Sequence, residues 1–156
     1  SRGTPKIMQE IQQNERKAWL SLMATSPDGA LTKLFAQKSE APKFDWLRKP
    51  EIGSVMVRGR TGGTGAPFNL GEMTVTRCTL KLASGEVGHG YVQGRRKEDA
   101  ESAALIDALM QTDAAAELQD KVLTPLSTEI AEAKAKRARK AAATKVYFFT
   151  MARGED

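Results

Sequence analysis

Residues 58 to 77 read RGRTGGTGAPFNLGEMTVTR, a glycine-dense loop bracketed by arginines that runs straight into a strand-like segment. Gly62, Gly63 and Gly65 can take backbone angles closed to other residues, so successive N–H groups can turn inward as an anion-binding concavity. Arg58, Arg60 and Arg77 would supply fixed positive charge, and guanidinium forks match phosphate oxygens. The chemistry this suggests is phosphate binding through Arg60, Gly62, Gly63, Thr64 and Gly65, with Arg77 and Arg95 in support. GGTGAPFN is not a Walker-type loop, because it lacks the terminal Gly-Lys-Ser/Thr and precedes a strand, and it is not a dinucleotide fingerprint. A wide, purely connecting hairpin loop is the plain structural alternative.

Two weaker catalytic candidates stand apart from the loop. His89 is the only side chain that titrates near neutrality without perturbation, and it sits among Tyr91, Gln93 and Arg95 at the end of a strand. It is a candidate general base, set against the ordinary role of a hydrogen-bonded packing residue. Asp107 lies beside an alanine stripe three residues after Ala104, as either a catalytic base or a buried carboxylate in an ion pair. Cys78 sits mid-strand with Leu80 and Leu82, where a thiol behaves as a small apolar group and should be inert. No serine or threonine stands in a nucleophile-elbow sequence. One cysteine and one histidine argue against a zinc site built from this chain alone, so no metal is expected here.

A chain of 156 residues predicts one domain spanning 1–156, with 1–17 as an N-terminal extension of unassigned role. No apolar run approaches the roughly 18 residues of a membrane span. A soluble, cytoplasmic protein without an export signal is therefore expected. Its net charge of +5 suits a polyphosphate ligand or an acidic partner as well as nucleic acid. Lys134, Lys136, Arg137, Arg139, Lys140 and Lys145 crowd one alanine-rich segment with no interleaved aromatic to stack a base. A solvated helix end is favoured there over a nucleic-acid patch.

The elements that must position these residues form an α+β pattern. Ile7, Met8, Ile11, Ala18, Trp19, Leu22 and Met23 recur at helical spacing after Thr4 and Pro5. A second short helix follows Ser26 and Pro27, so the two make an N-terminal helical hairpin. Short β-like runs come next at 43–48, 52–59, 72–83 and 86–93, the last two joined by a tight turn at Ser84 and Gly85. Alternation puts Gly88 and Gly90 on one face of the 86–93 strand, and Ala100, Ala103, Ala104 and Ala108 form the stripe of the next helix that can approach it closely. A helix break at Thr124 and Pro125, a final helix to about Ala142 and a strand over 145–151 complete the pattern. The expectation is a mostly antiparallel sheet of about five strands with C-terminal helices packed on it. Its second face, bearing Met73 and Val75 beside Arg77, would partly meet another subunit.

Taken in order, the glycine loop, GYVQGR at 90–95, AESAALIDALM at 100–110 and VYFFTMARG at 146–154 resemble the PhnG family of the bacterial carbon–phosphorus lyase system, which breaks down phosphonates. The resemblance runs from about Ala18 to Gly154. It implies a cytoplasmic complex with PhnH, PhnI, PhnJ and PhnL subunits, two copies of each core subunit around a two-fold axis, no nucleic acid, no membrane, and use under phosphate starvation. It also implies that the complex makes ribose 1-methylphosphonate 5-triphosphate from ATP and methylphosphonate. This chain itself would be a non-catalytic or co-catalytic subunit of that transferase and hold no cofactor, and the iron–sulfur cluster and S-adenosylmethionine would belong to a partner. Two alternatives remain open: a self-sufficient nucleotide or phosphoester enzyme using His89 and Asp107, and a basic nucleic-acid-binding module.

Overall fold

A computed structural model describes residues 6–36, 42–60 and 67–154, with 57–60, 67–70 and 144–154 as backbone only. The order is α1 (Lys6–Ala24), α2 (Ala30–Phe35), β1 (Phe44–Arg60), β2 (Pro67–Leu82), β3 (Val87–Gln93), α3 (Lys97–Leu109), α4 (Ala115–Leu118), one π-helical turn (Gln119–Leu123) and α5 (Thr124–Gly154). Both expected N-terminal helices are present as α1 and α2, but they pack mainly on α3 and, for α1, on β3, so the expected hairpin of one helix on the other is corrected to two helices docked separately on the rest of the fold. Ser26 donates from its hydroxyl to the Met23 carbonyl at 2.7 Å where α1 ends.

The sheet is an antiparallel meander of three described strands, in the order β1-β2-β3, so the expected five strands are corrected to three. Two changes account for the difference. The runs at 43–48 and 52–59 are one continuous strand, because the break between them is a pair of register shifts, between Trp46 and Arg48 and between Arg48 and Glu51. Pro50 falls within the second shift, on an edge strand, where a missing N–H disturbs no ladder. The segment 145–151 is helical, as the continuation of α5. No proline or glycine interrupts the chain from Leu126 to Arg153, and the alanine-, lysine- and arginine-rich run ahead of it favours helix strongly. Apolar content alone does not separate a buried strand from a helix.

The core lies between the helices and one face of the sheet. Leu80, Leu82, Cys78 and Val92 pack there with the alanines of α3, Leu31 and Leu34 of α2, Met23 of α1, and Leu118, Val122, Leu123 and Leu126. The glycine–alanine contact is present as expected. A Cβ at Gly88 would strike the Ala104 carbonyl and lie 2.8 Å from the Ala108 Cβ, and one at Gly90 would strike the Ala100 carbonyl and lie 2.8 Å from the Cys78 Sγ. The hairpin turn between β2 and β3 also forms, with Gly85 at φ 108° and the Leu82 N–H donating to Glu86 O at 2.8 Å.

Cys78 is buried and donates to Ala100 O at 3.2 Å. Burial pushes its thiol up to about 11, with the nearby Glu101 charge adding to the rise. The nucleophilic thiolate is therefore scarce at neutral pH. Native protein should resist alkylation by iodoacetamide at pH 8 and react promptly once unfolded by urea; rapid labelling of native protein would refute this placement.

β3 pairs with β2 only over Val75–Lys81, whereas β1 pairs with β2 along its whole length, from Phe44↔Leu82 to Arg60↔Pro67. Beyond Val75 the sheet therefore narrows to a two-stranded ribbon, Ser54–Arg60 against Pro67–Thr74. It extends roughly 20 Å at the usual strand rise. Such a ribbon buries little by itself and is marginal without cover.

Candidate functional site

The sheet face turned away from the helices gathers several of the candidate residues. Across it, register places Glu51, Arg77 and Tyr91 in one row and Arg48, Thr79 and His89 in the next. All but Thr79 are exposed, with Tyr91 at 37%. His89 Nδ1 lies 3.1 Å from the Thr79 hydroxyl, so the imidazole is held by a cross-strand neighbour. With Lys81 also exposed on β2, this face offers exposed cations and a tyrosine ring to an anionic ligand or an acidic protein surface, tempered by Glu51 and Asp45.

Arg60 ends β1 opposite Pro67, while Gly62, Gly63, Thr64 and Gly65 lie outside the described residues. Arg77 pairs with Glu51, nine positions before Arg60 on β1. At about 3.3 Å per residue that is roughly 30 Å. Arg77 therefore lies well along the sheet from Arg60, the last described residue before the loop. Arg95 follows Gly94, whose N–H donates to Thr74 O at the base of the ribbon, and it lines a shallow groove with Lys33 and Lys97.

Asp107 is fully buried on α3 and accepts four N–H bonds. Arg16 gives Nε at 3.1 Å and Nη2 at 2.8 Å, the Trp19 indole gives 2.7 Å, and the His89 backbone N–H gives 2.9 Å. The carboxylate thus ties α1, α3 and the outer edge of β3 together, and its attraction raises the already high affinity of Arg16 for its proton. It engages the main chain of His89, whose ring turns to Thr79 instead. Arg16 belongs to the N-terminal extension whose role the sequence leaves unassigned, and nothing local to it in the sequence points to a partner 91 residues away. The one legible sign was Arg16 and Trp19 at i, i+3 spacing on one helical face.

A second buried carboxylate, Asp99, also escaped the sequence reading. It accepts from Gly29 N–H at 2.7 Å, from Thr32 N–H at 3.1 Å and from the Thr32 hydroxyl at 2.7 Å, which serves the free N–H groups at the start of α2 from another helix. Arg96, itself buried, pairs with it at 3.1 Å and donates to Pro27 O and Gln93 O, both at 2.9 Å. Burial alone would raise the Asp99 carboxyl, but the Thr32 and Gly29 bonds and the Arg96 charge outweigh it and hold it below the usual range. A depressed carboxyl contributes stability above its unfolded value, about 3.9, and loses it as pH falls through the lower folded value. Acid titration of wild-type stability should therefore steepen below about pH 4, and Asp99→Asn should flatten that limb while lowering stability at pH 7. An unchanged acid limb in the variant would contradict the assignment.

The cations of the alanine-rich segment lie along α5, where residues 134–143 are exposed. Among the described residues no helix is long and apolar enough to cross a membrane. Comparison with known proteins matches residues 14–154 to the family described as phosphonate metabolism protein PhnG. A protein of Rhizobium meliloti (strain 1021), named as alpha-D-ribose 1-methylphosphonate 5-triphosphate synthase subunit PhnG, is 41% identical over 142 residues, covering 91% of each chain.

Proposed function

Because the chain belongs to the PhnG family, we propose that it is a subunit of an α-D-ribose 1-methylphosphonate 5-triphosphate synthase in phosphonate catabolism, acting chiefly in assembly and in positioning phosphate. The observation that carries this is the near full-length identity to a relative so named. The shape of the chain supports it. Ile52 at 41%, Met56 at 50% and Leu47 at 58% exposure, with Ile7, Met8 and Ile11 on α1, leave apolar surface that a partner would cover. The buried carboxylates support it too, since Asp107 and Asp99 are both committed to holding helices in place. In this reading PhnH, PhnI, PhnJ and PhnL are the partners, two copies of this chain stand about a two-fold axis, and ATP and methylphosphonate bind a site owned mainly by the partners. The iron–sulfur chemistry belongs to PhnJ.

Native mass spectrometry of the tagged chain, purified from phosphate-starved bacteria expressing the neighbouring phosphonate genes, tests the reading. Recovery in a large complex with paired copies is expected; recovery as a lone monomer or homodimer would overturn it. Gly63→Val then separates two roles for the loop. An assembled complex with lost synthase turnover assigns residues 60–65 to the triphosphate, whereas failed assembly assigns them to an interface.

A further inference from the structure

The two edges of the sheet are treated differently. In an antiparallel ladder, alternate residues direct both N–H and C=O to the same side. On β3 the outward set is Val87, His89, Tyr91 and Gln93, and side chains already occupy three of the four: Arg16 and Gln111 donate to Val87 O, Asp107 accepts from His89 N–H, and Arg96 donates to Gln93 O. Capped in this way, β3 is a poor template for another strand.

The same alternation, carried through the continuous register of β1 and β2 from Glu51↔Arg77 to Val57↔Gly71, turns the N–H and C=O of Ile52, Ser54 and Met56 outward from β1. This stretch contains no bulge and no proline, no described strand lies beyond it, and Ile52 and Met56 are 41% and 50% exposed. A regular edge with apolar side chains, uncapped among the described residues and across the sheet from a largely capped one, is the geometry of strand addition.

Charge selects the occupant. From Arg48 to Arg60 the strand carries Arg48, Lys49, Arg58 and Arg60 against Glu51 alone. A second copy paired antiparallel about Ser54 would set Ile52 against Met56, but it would also bring the basic ends of the two strands together, which disfavours that pairing. We infer that the outer edge of β1 over Ile52–Met56 takes an extended segment of a different polypeptide, apolar at alternate positions and acidic at its flanks. Identifying that polypeptide as another synthase subunit rests on the function proposed above.

Ser54→Pro tests the edge selectively. It removes an outward N–H, while the bonds to β2 are made by Gly53 and Val55. The isolated variant should melt like the parent and associate with the co-expressed subunits at least about tenfold more weakly. Hydrogen exchange on the wild-type complex should show new protection at the Ile52, Ser54 and Met56 amides, and cross-linking from residue 54 should capture an acidic segment. Full assembly of a folded Ser54→Pro variant, unprotected amides, or cross-links to a second copy of this chain would each overturn the inference while leaving the proposed function standing. A wild-type chain that joins no complex would overturn both.

Discussion

A valine at Gly90 should destabilise the chain by at least about 3 kcal/mol, enough to remove a large part of the stability of a domain this size. Its Cβ would collide with the Ala100 carbonyl of α3 and sit 2.8 Å from the Cys78 Sγ. The first obstacle is helix backbone and cannot rotate away. The second is a thiol already bonded to that same carbonyl. Relief would require α3 to lift from the sheet, giving up the burial of Ala100, Ala104 and Ala108 together. Gly53 provides the control, because a Cβ there meets nothing within 4 Å. Urea denaturation of Gly90→Val, Gly90→Ala and Gly53→Val should order the midpoints with Gly53→Val near the parent and Gly90→Val far below it. Parent-like stability of Gly90→Ala would show that the helix does not rest on the sheet as described.

Asp107→Ala should cost about 3–5 kcal/mol, the range for breaking a buried pair by removing one partner. It strands the Trp19 indole and the His89 N–H without their acceptor and leaves the Arg16 guanidinium one-third exposed beside an apolar void. Arg16→Met should cost less, because Asp107 keeps two of its donors. The two changes should also be non-additive, since they act on one network. The pattern distinguishes an anchor from a catalytic base. An anchor loses stability in the isolated chain, whereas a base would leave the melting curve of Asp107→Asn intact and lower only the turnover of the assembled complex. Thermal melts of the three variants with the parent decide it.

How much of this was legible beforehand follows from the range over which each signal acts. The glycine alternation at 88 and 90, the alanine stripe of α3, the turn at Ser84 and Gly85 and the apolar face around Cys78 were all readable, because periodicity and turn chemistry are properties of neighbouring residues. So was the PhnG resemblance, which rests on short motifs in order. The continuity of β1 was hidden because Pro50 reads as a terminator unless the strand is known to lie at an edge. The helical end of α5 was hidden because an apolar, aromatic run fits either state until its neighbours are placed.

The sequence by itself determined which segments are amphipathic, where the chain turns and which small residues allow a helix to touch a sheet. Only the tertiary structure decided which groups meet across long stretches of chain: Asp107 with Arg16 and Trp19, Asp99 with the start of α2, and Arg77 with Glu51 across the sheet. A buried charge must find a partner, but its sequence neighbourhood does not name that partner, because the choice is made by register and helix docking once the whole core has formed.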